Sequence, residues 1–417
     1  MFTLKLEEVN FEKINTFCEE QNPEGETIEY KRDFPSDLEK SISAMANTYG
    51  GIILIGVEAD KTTNTPILPI KGRELEKGLE EKVTSICLRK IYHPYFPLVK
   101  VCPFKDEKGG DKCVVFIRVY ESDQTPHAIN NNTDVYFRIK SQNEPFRKAT
   151  VDEIDLLKNR RQKAVENRER LVEIADRRFE SMPYDLVDQV QLKFVHKDLH
   201  SSYRKVSVIP LYPSKPLLQY PELLDLRDTF HNSHDQVLVL DNPISATGSL
   251  CFPYVRKSEG KTPDWFNYTE FNIFGLVYNK QSLLENANPG TKELFDISYF
   301  LKQVYRVVTA GKAIHEETGY YGNALIDVQV GGILGKKIGA IENRRASYGW
   351  FSNIIETDIH IEKVCSFGDL NENLDSLIIN LCKEFLWCCG GGDKIKDNLL
   401  IMSTVKNLYD GIKKSFQ

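Results

Sequence analysis

EGETIEYKRDFPSDLEKSISAMANTYGGIILIGVEAD, residues 24–60, is the stretch that decides the fold of the first part of this chain. From Thr27 to Phe34 the residues alternate, because strand side chains switch face at every step. Ile28, Tyr30 and Phe34 fall on one side; Glu29, Lys31 and Asp33 fall on the other. The apolar side can pack on a core, which leaves Glu29 and Lys31 side by side on an open face. Ser36 and Glu39 then read as a capping box opening a helix. Leu38, Ile42, Met45 and Tyr49 recur at near-helical spacing and make one apolar stripe. Gly50 and Gly51 stop that helix, since glycine accepts the left-handed cap conformation. Ile52 to Val57 is an unbroken apolar run, the pattern of a strand buried on both faces. Glu58 and Asp60 stand where that strand surfaces.

A carboxylate and a lysine two apart on one strand suit phosphodiester cleavage. The carboxylate holds a hard cation such as magnesium or manganese through oxygen. The lysine orients an attacking water or offsets charge on the scissile phosphate. Glu24 lies five residues before Glu29 in a Pro-Glu-Gly turn, where a bend can return its carboxylate towards Glu29. Read from spacing alone, the same charges also fit an ordinary solvated strand face.

The residues EGETIEYK, followed by SAMANTYGGIILIGV, resemble the signature of the Schlafen core, also called the AlbA-type domain. The resemblance continues through Ser122 to His127, through the strand Val135 to Arg138, and into the helix that begins near Glu153. It covers about residues 20 to 165. It implies an α+β fold, a mixed sheet with helices, and a divalent-metal-dependent endoribonuclease acting on structured RNA, tRNA first. Carried over residue by residue, it makes Glu24 and Glu29 metal ligands and Lys31 the motif lysine. The family's third acid lies just past the Gly-Val of the second strand, where this chain has Ala59 between Glu58 and Asp60. Asp60 is the first candidate for that role and Glu58 the second. Family members with two such lobes cradle RNA, so a chain with one copy of the motif is expected to work as a homodimer. A role in defence against phage follows by the same analogy. The rival reading is a non-catalytic nucleic-acid-binding regulator, in which Ala59 marks a decayed metal site. A third is nucleotide binding at the turn Asn47 to Gly51.

Composition bounds these readings. At 417 residues the chain accommodates two domains with sizeable cores. The expected division is a Schlafen-like domain at 1–165, a connecting helix at 150–184 and a second α+β domain at 185–417. No apolar run reaches membrane-spanning length and the N-terminus is not a signal peptide, so a cytoplasmic protein is expected. Nine cysteines without regular spacing fit a reducing compartment. A net charge of −6 opposes nucleic-acid binding unless cations cluster. Two clusters offer themselves: Lys158, Arg160 and Arg161 on a basic helix, and Arg32, Arg118, Arg138 and Lys140 around the acidic site.

In the second half, strands are expected at Lys205–Leu211, Gln236–Leu240, Tyr268–Tyr278, Ala324–Val330 and Thr357–Val364. Helices are expected at Thr291–His315, Leu374–Cys388 and Lys394–Ser415. Residues 211–265, rich in proline and aromatics, read as long surface loops. Gly331 to Lys337 lacks the spacing and the Ser/Thr of a phosphate loop and reads as a turn. His196 and His200 share a helix face without a third ligand. Cys87, His93, Cys102 and Cys113 lack a Cys-x-x-Cys knuckle, which disfavours zinc.

Overall fold

The computed structural model describes the chain except residues 3, 5, 107, 140–145, 182–201, 232–236, 258–262, 283–293, 319, 321, 343–344, 352–353, 392–398 and 417. Contacts divide it into two compact units, Met1–Ala164 and Val165–Gln417. Both mix helix and sheet, as the sequence leads one to expect.

The first unit contains α1 (Phe11–Glu19), β1 (Ile28–Lys31), α2 (Leu38–Asn47), β2 (Gly51–Ile55), β3 (Arg73–Glu74), α3 (Leu79–Lys90), β4 (Leu98–Lys105) and β5 (Asp111–Val119). A small sheet of β6 (Ala128–Ile129), β7 (Asp134–Arg138) and β8 (Phe146–Lys148) follows. β2 lies at the centre of the main sheet, parallel to β1 and antiparallel to β5. Its apolar run is needed on both sides. Ile53 and Ile55 pack with Leu38, Ile42 and Met45 of α2 and Val83 of α3. Ile52 and Leu54 pack with Ile14 and Phe17 of α1. Each such burial contributes about 1.5–3 kcal/mol.

Two local expectations change. The capping box does not form: Asp37 is the N-cap without a side-chain bond, and Glu39 instead accepts from Lys90 Nζ at 3.0 Å. The apolar stripe ends at Met45, because α2 stops at Asn47 and Tyr49 is left 69% exposed. Gly50 then takes φ +72°, where a Cβ would meet the Val119 carbonyl oxygen at 2.5 Å. Only glycine allows β2 to leave the helix this close to β5.

Helix α4 (Val151–Ser181) runs across the division between the units. The Pro183 break expected after it lies outside the described residues. The second unit is built on a seven-stranded sheet in the order β10-β11-β12-β13-β9-β15-β18. These strands are β9 (Tyr203–Pro210), β10 (Ile244–Ala246), β11 (Ser249–Lys257), β12 (Pro263–Asn272), β13 (Val277–Ser282), β15 (Ala324–Gly331) and β18 (Asp358–Cys365). A three-stranded sheet joins β14 (Leu294–Asp296), β16 (Lys337–Glu342) and β17 (Arg345–Phe351). Helices α5 (Tyr220–Phe230), α6 (Ile297–Thr318), α7 (Phe367–Glu372), α8 (Leu374–Leu386) and α9 (Leu399–Ser415) complete it. Val206 and Val208 of β9 and Val328 and Val330 of β15 meet Val304 and Val308 of α6 in the core.

The segment 211–265 is not a run of loops. It holds α5, opened by a reciprocal Gln219–Glu222 capping box, together with β10 and β11. Tyr268–Tyr278 is two strands, not one, turning at Gly275 with φ +83°. No strand forms at 237–240; the Val237 carbonyl accepts from the buried side chains of Asn267 and Asn279 instead. Gln236, like His196 and His200, lies outside the described residues. Gly331 to Lys337 is a turn, with Gly332 at φ +67° and Gly335 at φ +73°. Among the described residues, no helix is long and apolar enough to cross a membrane.

Candidate functional site

The site grows from the pairing of β1 with β2. Glu29 pairs with Ile53, and Tyr30 with Leu54. Tyr30 therefore faces the α1 side, and Glu29 and Lys31 face the α2 side. The alternation holds within β1 but not to Phe34, which lies beyond the strand's end and packs on the α2 side, and the Glu29 face is not open. Ser41 of α2 donates to Glu29 Oε1 at 2.8 Å, and Arg138 of β7 reaches Glu29 Oε2 at 2.5 Å. Glu29 is 2% exposed. A helix roof and a distant arginine have converted a surface carboxylate into an interior one.

Lys31 Nζ lies 3.0 Å from Glu29 Oε1 and 3.6 Å from Glu24 Oε1. The Tyr30 amide donates to the same Glu24 oxygen at 2.7 Å. Glu24, Glu29 and Lys31 are therefore brought together as expected. Two carboxylates meet two cations, and the cluster is neutral. Arg138 also ties down the chain ahead of β1, donating to the carbonyls of Gly25, Glu26 and Ile28.

The acids beyond Val57 are elsewhere engaged. Asp60 Oδ1 accepts from the amides of Thr62 and Thr63 at 2.8 and 2.9 Å, and these bonds hold its carboxyl below the usual range. Glu58 pairs with Arg32 at 3.3 Å and Lys71 at 3.8 Å. Among the described residues, neither joins Glu24 and Glu29 in a group of three ligating atoms within 4.8 Å. A magnesium or manganese ion held by Glu24, Glu29 and Asp60 does not fit this arrangement. Both Glu29 oxygens already serve cations or a hydroxyl, and the third acid is committed to its own turn.

The basic residues separate into interior and surface groups. Arg138 and Arg118 are interior, 3% and 4% exposed. Arg118 donates to the carbonyls of Met1 and Leu4 and lies over the Phe116 ring. Neither offers itself to an external phosphate. Lys140 lies outside the described residues. Arg32 is exposed, and Lys158 pairs weakly with Asp155 at 3.4 Å. Arg160 reaches Glu121 and the Ser122 carbonyl, and Arg161 reaches His93 Nε2 at 3.2 Å.

These contacts define a surface that sequence reasoning missed. Gly50 lies against the backbone of Val119 to Glu121, so exposed Tyr49 and Tyr120 flank the same junction as Arg160. Its linchpin is Asn47, fully buried: its amide donates to the carbonyls of His127 and Tyr136 and its oxygen accepts from the His127 amide. The Asn47–Gly51 turn thus spends its asparagine on the fold, which leaves no side-chain amide there for a nucleotide. The only advance signal was that Tyr49 directly precedes two glycines.

The cysteines form no zinc site with His93. Cys87 and Cys113 are buried on the α2 side of the sheet and Cys102 on the α1 side. Burial pushes the Cys87 thiol up to about 12, so it stays protonated.

Residues 24–147 match the family model described as Schlafen, AlbA_2. No curated protein matches the chain significantly. Among solved structures the chain is similar to the solution NMR structure of the N-terminal domain of an ATP-dependent DNA helicase RecG-related protein from Nitrosomonas europaea. That similarity is 18% identity over 30% of this chain and 88% of that one, with a TM-score of 0.24.

Proposed function

We propose, from the premise that residues 24–147 form a Schlafen AlbA_2 domain, that the first unit binds nucleic acid without cutting it. The observation that carries this reading is the closure of Glu29 between Arg138, Lys31 and Ser41. A carboxylate with both oxygens engaged and its charge balanced does not call for a dication. Binding falls to the surface beside the Asn47–Gly51 turn. Tyr49 and Tyr120 offer faces on which bases stack, worth about 1–3 kcal/mol per base. Arg160 and Arg161 supply cations whose charged or imidazole partners, Glu121 and His93, are themselves partly exposed, so phosphates can compete for them. Single-stranded or looped RNA, tRNA included, is the substrate class this chemistry suits, because its bases can be splayed onto aromatic side chains.

A second reading is favoured by one observation. Glu24 and Glu29 both direct an oxygen at the Lys31 ammonium, which occupies a cation position between them. A metal-dependent endoribonuclease would use that position for magnesium or manganese and a second copy of the chain for its other lobe.

Total tRNA and a single-stranded RNA, each incubated with the full chain in magnesium, manganese or chelator, test the two. Expected are intact RNA in every lane and salt-sensitive, metal-independent binding that weakens in Arg160→Ala/Arg161→Ala and in Tyr49→Ala. Metal-dependent cleavage that is lost in Glu24→Gln, a partly exposed position, would overturn the binding-only reading in favour of the nuclease.

A further inference from the structure

The face of the second unit's large sheet opposite α6 is packed by α4 and carries, towards β18, a group of side chains that nucleic-acid binding does not use. β15 and β18 pair antiparallel, with Asp327 opposite Glu362 and Gln329 opposite His360. Val328, Val330, Ile359 and Ile361 point into the core. By alternation, Asp327, Gln329, His360 and Glu362 share the other face. His360 Nε2 lies 2.7 Å from Asp327 Oδ1 and 3.7 Å from Glu362 Oε1. The three ligating atoms all fall within 4.8 Å of one another, the only such group among the described residues.

The three are held unequally. Asp327 is buried and supported from behind: Lys205 Nζ lies 3.4 Å from its Oδ2, and Gln329 Nε2 donates to both its oxygens at 3.3 and 3.2 Å. Lys205 also reaches Asp176 at 3.1 Å, but Asp176 is paired in turn with Lys280 at 2.8 Å, so the carboxylate left in surplus is that of Glu362. His360 and Glu362 have side chains 52% and 58% exposed and sit on β18, the last strand of the sheet. One ligand is anchored and two can close.

We propose that Asp327, His360 and Glu362 form a zinc-class divalent metal site. One imidazole nitrogen with two carboxylates is a donor set zinc accepts at about 2.0–2.2 Å, which places tetrahedral ligand atoms about 3.3 Å apart. The observed 2.7 and 3.7 Å separations from His360 bracket that value, so only exposed side chains need to turn. The imidazole disfavours magnesium, which takes oxygen ligands in octahedral geometry. Binding exchanges the His360–Asp327 hydrogen bond for two metal bonds and releases any proton carried on Nε2. Gln329 stays as the group that orients Asp327. Three protein ligands leave a fourth position open to water, and the ion ties edge strand β18 to β15.

The test uses the full chain, stripped with chelator and dialysed, then titrated with zinc chloride by calorimetry while bound metal is counted by atomic emission. His360→Ala and Glu362→Gln are carried in parallel. Both replace exposed side chains, and circular dichroism checks each fold, so either variant alone suffices if the other fails. Expected is one tightly held zinc in the native chain, weakened roughly tenfold or more in each variant. Zinc raises the melting midpoint of the native chain only. Absence of zinc binding, or binding unchanged in both variants and therefore located on other groups such as the cysteines, would overturn the proposal.

Discussion

Two carboxylate clusters, one in each unit, put the same residue types to opposite use. At Glu29 the acid is enclosed, and its oxygens are taken by Arg138, Ser41 and Lys31. At Asp327 the acid is also buried, but the partners on its open side are His360 and Glu362, half-exposed on an edge strand. The first cluster has no net charge to offer an ion. The second has an imidazole and a surplus carboxylate where an ion can arrive. The difference teaches that a metal-like motif in sequence and a metal-like arrangement in space are separate properties, decided by which cations the fold delivers to each oxygen.

The comparison is broken most forcefully at Arg138. Arg138→Met leaves Glu29 buried with Lys31 as its only cation and frees the Gly25, Glu26 and Ile28 carbonyls. Removing one partner of a buried pair costs about 3–5 kcal/mol. Urea unfolding followed at first-unit residues is expected to show a loss of that size. A change below about 1 kcal/mol would mean that the cluster is as loosely held as a surface ion pair.

Acid acts through a different route in each unit. His127 and His315 are fully buried, and desolvation holds both down to about 4. Their folded values lie below the unfolded value near 6.5, so the unfolded chain takes the proton first. Their contribution is complete above about pH 6.5 and is lost as pH falls towards 4, by roughly 3 kcal/mol for each histidine at most. Thermal melts from pH 7.5 to 4 are expected to decline in that window. His127→Asn should flatten the first unit's share and leave the second unit's intact.

A smaller effect isolates the helix roof. Ser41→Ala removes one bond to Glu29 but leaves Arg138 and Lys31 in place, which costs about 1–2 kcal/mol. Equal losses in Ser41→Ala and Arg138→Met would mean that α2 anchors Glu29 as much as β7 does.

Legibility from sequence followed the range of the interactions. The apolar run of β2 and the Gly50 turn are local and legible from spacing. Glu24, Glu29 and Lys31 are also close in sequence, but spacing alone fitted a solvated strand face and the family resemblance singled them out. Arg138 meets Glu29 across 109 positions, and its strand signal gave no sign that it would enter the interior. The burial of Glu29 depends on how α2 lies over β1, which periodicity does not report. The missed α5, β10 and β11 sit in a stretch whose prolines and aromatics imitate loop composition, yet Pro253 is accommodated within β11. Asp327 and His360 are 33 positions apart and become neighbours only through the register of β15 and β18. No motif spans that distance.

The last and smallest effect returns to the open cluster. In chelator, His360→Ala removes a half-exposed partner of Asp327, while Lys205 and Gln329 still satisfy both carboxylate oxygens. Partly exposed ion pairs contribute about 0–1 kcal/mol, so the metal-free variant is expected to unfold within about 1 kcal/mol of the native chain. The contrast with Arg138→Met is then several-fold for removal of one cationic or imidazole partner from a buried acid. If His360→Ala cost as much as Arg138→Met, His360 would be a structural counterion of Asp327, and both clusters would be closed in the same sense. A near-neutral result leaves His360 free for a ligand, because the fold does not depend on it.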